Sequence, residues 1–462
     1  MDLKKIYIKL VILSGVFLLV LVCGCEKIEI LDPPDTTGEV EKSSTGDSDA
    51  RGIYFGLNET TTQFIEPASL DTYLIDDAVS NYFSNTRFAR PINLDEATVL
   101  ALDEFPLLQD EGFLDVVDTN SAFEYTPYVG AFGAVMSDSW YINSSWFQLD
   151  PQNIVYEYNE DTVVEIEGAI TVNTRWTSDK QYLLKGQVFV KSGVTLTIEP
   201  GTVIFGNNGT GVNAGVLVFN RGSKIDANGT PEQPIIFTGT AAPGERTRGQ
   251  WGGVVFLGKA PNNKGDSVLV EGIQGEEDDD GLFGGTDIND NSGTFSFWRV
   301  EYAGIAITPG NEINSITFGS VGAGTTAHHI IITGAGDDAM EWFGGAVHLS
   351  YIATYNTLDD DMDMDSGFSG GIQFLYIVRN PYAADESGSK ALEISSSSTV
   401  GVEPITKAQV VNATIVGPLY QLDGTDIIYD RLFQAGLSST NDARAELLNS
   451  IILGCPVGAE NP

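Results

Sequence analysis

The segments "GDDAMEW" (336–342) and "LDDDMDM" (358–364) decide how this chain folds. Laid one on the other, they match Asp337 to Asp359, Asp338 to Asp360, Met340 to Met362 and Glu341 to Asp363 at an offset of 22 residues. A second overlay sets "LTIEPGTVIFGN" (196–207) on "LVFNRGSKIDAN" (217–228), matching Leu196 to Leu217, Gly201 to Gly222, Ile204 to Ile225 and Asn207 to Asn228 at an offset of 21. From about residue 180 onward the chain is a series of short β-rich runs stopped by Gly or Asn, among them "PIIFTG", "GGVVFLG", "HIIITGAG", "QFLYIVRN" and "NSIILG", with no helical interlude. A period of 21–22 residues built from short strands predicts a solenoid, and the lack of helical patterns favours a β-helix over a leucine-rich repeat. One coil cannot bury its apolar side alone. Stacking brings successive coils to about 4.8 Å and joins their inward Val, Ile, Leu and Phe into one core. This period allows about twelve coils. A β-sandwich or propeller is the alternative, but strand alternation there would not return the same residue to the same place one coil later.

Composition agrees with a large folded body. The chain has 462 residues, 51 glycines and 42% hydrophobic residues, enough for a sizeable core. Its formal net charge is −40. A surface this acidic repels nucleic acid and anionic headgroups and attracts divalent cations, so no nucleic-acid partner is expected.

Lys4, Lys5 and Lys9 precede the apolar run 10–22, which is too short to span a bilayer and has the proportions of a secretory signal. The run ends in Val22-Cys23-Gly24-Cys25, which resembles the lipobox of bacterial lipoproteins and makes Cys25 the expected lipidated N-terminus. Residues 1–24 read as a lipoprotein signal peptide. Residues 25–52, rich in Pro, Ser, Thr, Gly and Asp, read as a lipidated flexible tether. The acyl chains would be the only link to a membrane, and the expected place is the outer membrane at the cell surface. Once Cys23 leaves with the signal and Cys25 carries lipid, only Cys455 remains, so no intramolecular disulfide can form. Residues 53–178 mix helical spacing with irregular aromatic sequence and read as an N-terminal cap region. Its Trp140, Tyr141, Trp146 and Phe147 are expected to cover the open end of the solenoid. Residues 179–462 are assigned to the β-helix.

The blocks "YLLKGQVFVKSGVTLTIEPGTVIFG", "GTPEQPIIFTG", "QWGGVVFLGKAPNN", "NEINSITFGSVGAGTT", "GDDAMEWFGG" and "LDDDMDMDSGFSGGIQF", taken in order, resemble a family of secreted and surface-lipoprotein right-handed parallel β-helices of Gram-negative bacteria with a pectin-lyase-like fold. The resemblance spans about residues 135–455. It implies an all-β, right-handed parallel β-helix at the cell surface, and implies little about chemistry.

In a solenoid, Asp337 stacks on Asp359 and Asp338 on Asp360. Two carboxylates about 4.8 Å apart repel by about 3.5 kcal/mol at an effective dielectric of 20. A bound cation, raised pKa values or solvent exposure must offset this. The alternation Asp361-Met362-Asp363-Met364-Asp365 sends the methionines to one strand face and the three carboxylates to the other. Such an oxygen array suits Ca²⁺. "DMDMDSG" (361–367) and "DINDNSG" (287–293) share the form D-x-[DN]-x-[DN]-S-G, which resembles half of a calcium loop without the EF-hand's glycine at the sixth place or glutamate at the twelfth. The metal candidates are therefore Asp337, Asp338, Glu341, Asp359, Asp360, Asp361, Asp363 and Asp365, with Asp287, Asn289 and Asn291 as a second set. His328, His329 and His348 border the first aspartate pair and could ligate a transition metal, although "AHHIIITG" reads more simply as a strand with packed rings.

Three readings of the function compete. The leading one is binding or adhesion to a glycan or an envelope protein, with structural calcium and no catalytic residue assigned. The enzyme reading is a polysaccharide lyase or hydrolase at the Asp cluster, but the arginine-x-lysine clamp of β-helix hydrolases is missing and Arg379 and Lys390 lack a recognisable motif. The third is a scaffold subunit of an outer-membrane complex.

Overall fold

A computed structural model describes residues 53–55, 63–65 and 120–461, apart from 127–129, 133–139, 141–143, 210, 276, 278, 309–310 and 419–428. Cys25, the signal run and the tether lie outside the described residues. No described helix is long and apolar enough to cross a membrane.

From Val164 onward the chain winds through three parallel sheets in a fixed order. One coil contributes 181–184 to the first sheet, 187–190 to the second and Thr195–Ile198 to the third, and the next coil repeats the sequence with Val203–Gly206, Val216–Phe219 and Lys224–Asn228. Among the described residues the first and second sheets each hold ten parallel rungs, and the third holds nine. The β-helix thus begins at Val164, not at 179, because Val164–Ile170 already pairs with Gln181–Val190. Inward side chains alternate with outward ones. On the second sheet Leu217, Val254, Ile316, Met340, Met362 and Leu392 stack into the core, as period-two burial requires.

The 22-residue offset of the opening overlay is the true stacking register, since Met340 pairs with Met362 and Glu341 with Asp363. The 21-residue overlay is not. Leu196 pairs with Ile225, and Leu217 with Val188. Both overlaid segments are a strand, a glycine turn at φ near +80° and another strand, but they sit at different corners of the coil. Coil length is not constant either. Ile225 pairs with Gly293, Ala327 with Leu349, and Ile372 with Val410, so insertions make ten coils of the span that a constant period divides into about twelve.

Tyr141 lies outside the described residues, and the described part of the aromatic N-terminal segment does not cover the open end. It runs as a strap along the side of the solenoid, against rungs that are far apart in sequence. Gly130 donates to the Asn449 carbonyl at 2.8 Å, Glu124 exchanges two 2.7 Å bonds with the Gln373 amide, and Trp146 Nε1 donates to the Trp298 carbonyl at 2.8 Å. Further along, Gln181 donates to Tyr156 O at 2.5 Å. Beneath the strap, Phe297, His329, Tyr351 and Phe374 occupy the left-handed region, with φ between 53° and 61°. Their rings stack one coil on the next at 4.4, 4.3 and 4.7 Å. Fully buried Trp146 packs edge-on against Phe297 and His329. This contact accounts for holding bulky residues in a strained backbone conformation. The strap therefore seals a stacked aromatic corner, and its rings are spent on the protein itself.

Candidate functional site

The outer face of the second sheet carries one continuous column of side chains, Phe189–Val218–Val255–Thr317–Glu341–Asp363–Glu393–Ser438–Glu460, each one coil from the next. Its apolar beginning is roofed by the insertions, where Val270, Ile273, Phe283 and Ile313 pack on Phe189, Val218 and Val255. The roof ends at Thr317, and the acidic part of the column begins one rung later. Glu271 and Glu312 stand on the roofing insertions, so the same elements that bury the apolar half bring two more carboxylates toward the acidic half.

Two groups of carboxylates converge here. Oxygens of Asp337, Asp338 and Asp359 lie within 4.8 Å of one another, and so do those of Asp338, Glu341 and Asp363. The stacking of Asp337 on Asp359 expected from the sequence is thus present. Asn314 ties the upper rung together: its Nδ2 donates to Glu341 Oε2 at 2.5 Å, and its Oδ1 accepts the Asp338 amide at 3.2 Å. Asp338 Oδ1 accepts the Asp360 amide at 2.9 Å. Asp338 is 8% exposed and Glu341 7%, while Oδ1 of Asp359 and Oδ1 of Asp363 are sealed from solvent without a hydrogen-bond partner.

Burial is the main cause of the electrostatic state. It pushes the Asp337 carboxyl up to about 8, helped by the charges of Glu312 and Asp359. Burial also raises Asp338, Glu341, Asp360 and Asp363 well above the ordinary carboxylate range, with repulsion from their acidic neighbours adding to it. Glu271 moves to about 7 through burial and the Glu312 charge. Such a group must hold protons or a cation at neutral pH. The donor set is oxygen throughout, and Asp359 and Asp363 each carry a buried oxygen with no hydrogen-bond partner. That chemistry fits a hard divalent cation.

Not every candidate joins the cluster. Asp361 turns away from the outer row: it pairs with Arg379 at 3.0 Å, both side chains are fully buried, and Thr357 donates to it at 2.8 Å. It lies just before the strand Met362–Asp365, so strict alternation does not bind it. Asp360 is spent on its neighbours, accepting the Lys390 amide at 2.5 Å and sharing a hydrogen bond with Glu393. Asp365 belongs to neither carboxylate group and lies 3.6 Å from Lys264. Asp287 joins neither carboxylate group. Asp287 and Asn291 instead accept the amides of Asn289 and Gly293, the local turn bonds that Asx residues favour. The three histidines are likewise absent from both groups, and burial lowers the basicity of each.

Sequence reasoning missed Glu393, Glu271, Glu312 and Asn314, and it named Lys390 without placing it beside the column. Lys390 Nζ lies 2.5 Å from Glu393 Oε2. Burial opposes its charge, but Asp360 and Glu393 outweigh that and raise its pKa. The signal for Glu393 was the "ALEI" strand, but Met362 pairs with Leu392 through a lengthened coil, which a fixed 22-residue step passes over.

A model of the pectate-lyase-like β-helix domain matches residues 168–431. No curated protein and no solved structure matches the chain.

Proposed function

The chain belongs to the family of pectate-lyase-like β-helix domains, and from that premise we propose that it binds an acidic polysaccharide through divalent cations held on the outer face of its second sheet. The supporting observation is the five-carboxylate cluster of Asp337, Asp338, Asp359, Glu341 and Asp363, part buried and part open, with sealed oxygens that no hydrogen bond satisfies. Without a cation this face repels a polyuronate. With calcium it gains positive charge and open coordination positions that sugar carboxylates can fill. The lipid on Cys25 and the polar tether that follows belong to the same proposal, holding the column at the outer-membrane surface.

Cleavage by β-elimination is the second reading, favoured by one observation: a lysine, Lys390, borders the column. Binding is preferred because Asp360 and Glu393 keep that lysine protonated, and an ammonium cannot accept the proton that elimination removes. Arg379 is fully buried against Asp361 and cannot reach a substrate.

Co-sedimentation of the full chain with polygalacturonate, in calcium and in chelator, tests the proposal. Retention in calcium, lost in chelator and in Asp363→Asn, is expected. Retention that ignores calcium, or none in either condition, overturns it. Formation of unsaturated uronide during the same incubation replaces binding with the lyase reading.

A further inference from the structure

We infer that the strap is a pH-sensitive clasp, closed while the histidines it covers are neutral and lifted from the solenoid when they take up protons. The sequence holds three histidines, and each meets the strap or a ring that the strap covers. His329 stacks between Phe297 and Tyr351 at 4.4 and 4.3 Å, and the strap's Trp146 packs edge-on against it at 5.3 Å. Its Nδ1 lies 2.8 Å from Nδ1 of His328. His348 meets the strap's Phe123 edge-on at 5.5 Å, and its own Nδ1 is sealed from solvent without a hydrogen-bond partner.

These contacts need neutral rings. A hydrogen bond between two Nδ1 atoms requires a proton on one and a lone pair on the other. A first added proton leaves that bond intact but puts a charge where burial disfavours it, and a second removes the lone pair and sets two cations against each other. A charged His348 would carry a buried N–H with no acceptor. Burial is the first cause lowering the basicity of all three, and the His328 charge adds to it at His329, which is pushed down to about 3. No carboxylate offsets either cause. His328 lies between Ser296 and Ser350, and His348 beside Gly371, all uncharged. The titratable or charged neighbours are Tyr351, whose phenol burial and Glu124 hold protonated, and Arg299, which donates to the Ser145 carbonyl beside Trp146 at 3.4 Å.

A base whose folded pKa is depressed stabilises the closed form in full above its ordinary value, 6.5 here, and loses that contribution as pH falls toward the depressed one. Closure is therefore complete near neutral pH and weakens in acid by up to tenfold per pH unit for each histidine. Once the strap lifts, the rings take their protons in water, so the loss stops at the strap and the rungs stay wound. The strap's end at Tyr156 rests on Arg299 and Glu301 and touches no histidine, so the parts that lift are those around Phe123 and Trp146.

The test is hydrogen exchange of the full chain by mass spectrometry, in excess calcium and corrected for the intrinsic pH dependence of exchange. It reads the strap amides of Glu124 and Trp146, which donate to the Gln373 side chain and the Pro231 carbonyl. From pH 7 to pH 4 these should lose at least tenfold in protection while the rung Gly253–Leu257 keeps its own. A chain carrying His328→Gln, His329→Phe and His348→Gln should keep the strap protected throughout; Gln373, Phe374 and Gln409 already stand in the same three columns. The single His329→Phe chain, which keeps the stack, should hold the strap at pH 7 and lose less in acid. Strap protection unchanged at pH 4, lost equally in the variants, or lost together with the rung overturns the clasp.

Discussion

Removing divalent cations should make the stability of this protein fall as pH rises, the reverse of ordinary acid denaturation. A carboxyl whose native pKa lies above its unfolded value binds more protons when folded. Its stabilising contribution is complete below the unfolded pKa and is lost as pH climbs to the native one. For Asp337 the window runs from 3.8 to about 8. Between about pH 4 and pH 7 it costs about 1.4 kcal/mol per pH unit, or about 4 kcal/mol. Asp338, Glu341 and Asp363 shift in the same direction, but they share the same mutual repulsion, so the contributions do not add. At an unfolding entropy of about 2.1 cal/mol/K per residue over roughly 300 ordered residues, 4 kcal/mol corresponds to about 6 °C. The assay is the apparent melting temperature by circular dichroism across that pH range, in chelator and in excess calcium. The expected result is a fall of about this size with rising pH in chelator, removed or reversed in calcium because the ion displaces the protons. A chelated protein whose melting temperature is flat or rises over the window would refute the reasoning, since the cluster would then need no cation.

Other changes separate the cluster from its scaffold. Arg379→Met leaves the fully buried Asp361 unpaired and should destabilise by about 3–5 kcal/mol in denaturant titration, with cation stoichiometry unchanged. Lys390→Gln removes a positive charge beside Asp360 and Glu393 and should tighten cation binding severalfold, read by calorimetry; weaker binding would mean that the lysine organises the site. Trp146→Ala empties the fully buried position that the strap's own ring fills against Phe297 and His329 and should cost about 3–5 kcal/mol. Tyr156→Phe removes the hydroxyl that donates to Glu301 at 2.7 Å and accepts from Arg299 at 2.7 Å, and a loss of about 1–3 kcal/mol is expected in chemical denaturation.

The solenoid was legible because the inward residues recur wherever coils are short. Met340 on Met362, with Asp337 beside Asp359, is a 22-residue step visible by eye. The 196–207 overlay misled because a strand, a glycine turn and another strand occur at two different corners, around Gly201 and Gly222, and similarity between corners resembles similarity between coils. Loop length carries no core pattern, so the step from Ile225 to Gly293 hides a full insertion. Half of the site was readable for the same reason. Asp337, Asp338, Asp359, Glu341 and Asp363 sit on short coils, whereas Glu271, Glu312 and Glu393 arrive through insertions or a lengthened coil. Asp361 shows the limit of alternation, since a residue at a strand's edge follows its partner, here Arg379, rather than the pleat. The strap was unreadable as such, because only the folded rungs bring Trp146 to Trp298 and Gly130 to Asn449.

Anomalous diffraction from crystals of the full chain soaked in Mn²⁺ tests the central claim most directly. The account predicts anomalous density on the outer face of the second sheet, among the carboxylates of Asp337, Asp338, Glu341, Asp359 and Asp363. Ordered Asp337, Asp338, Glu341, Asp359 and Asp363 side chains with no anomalous density between them would contradict it.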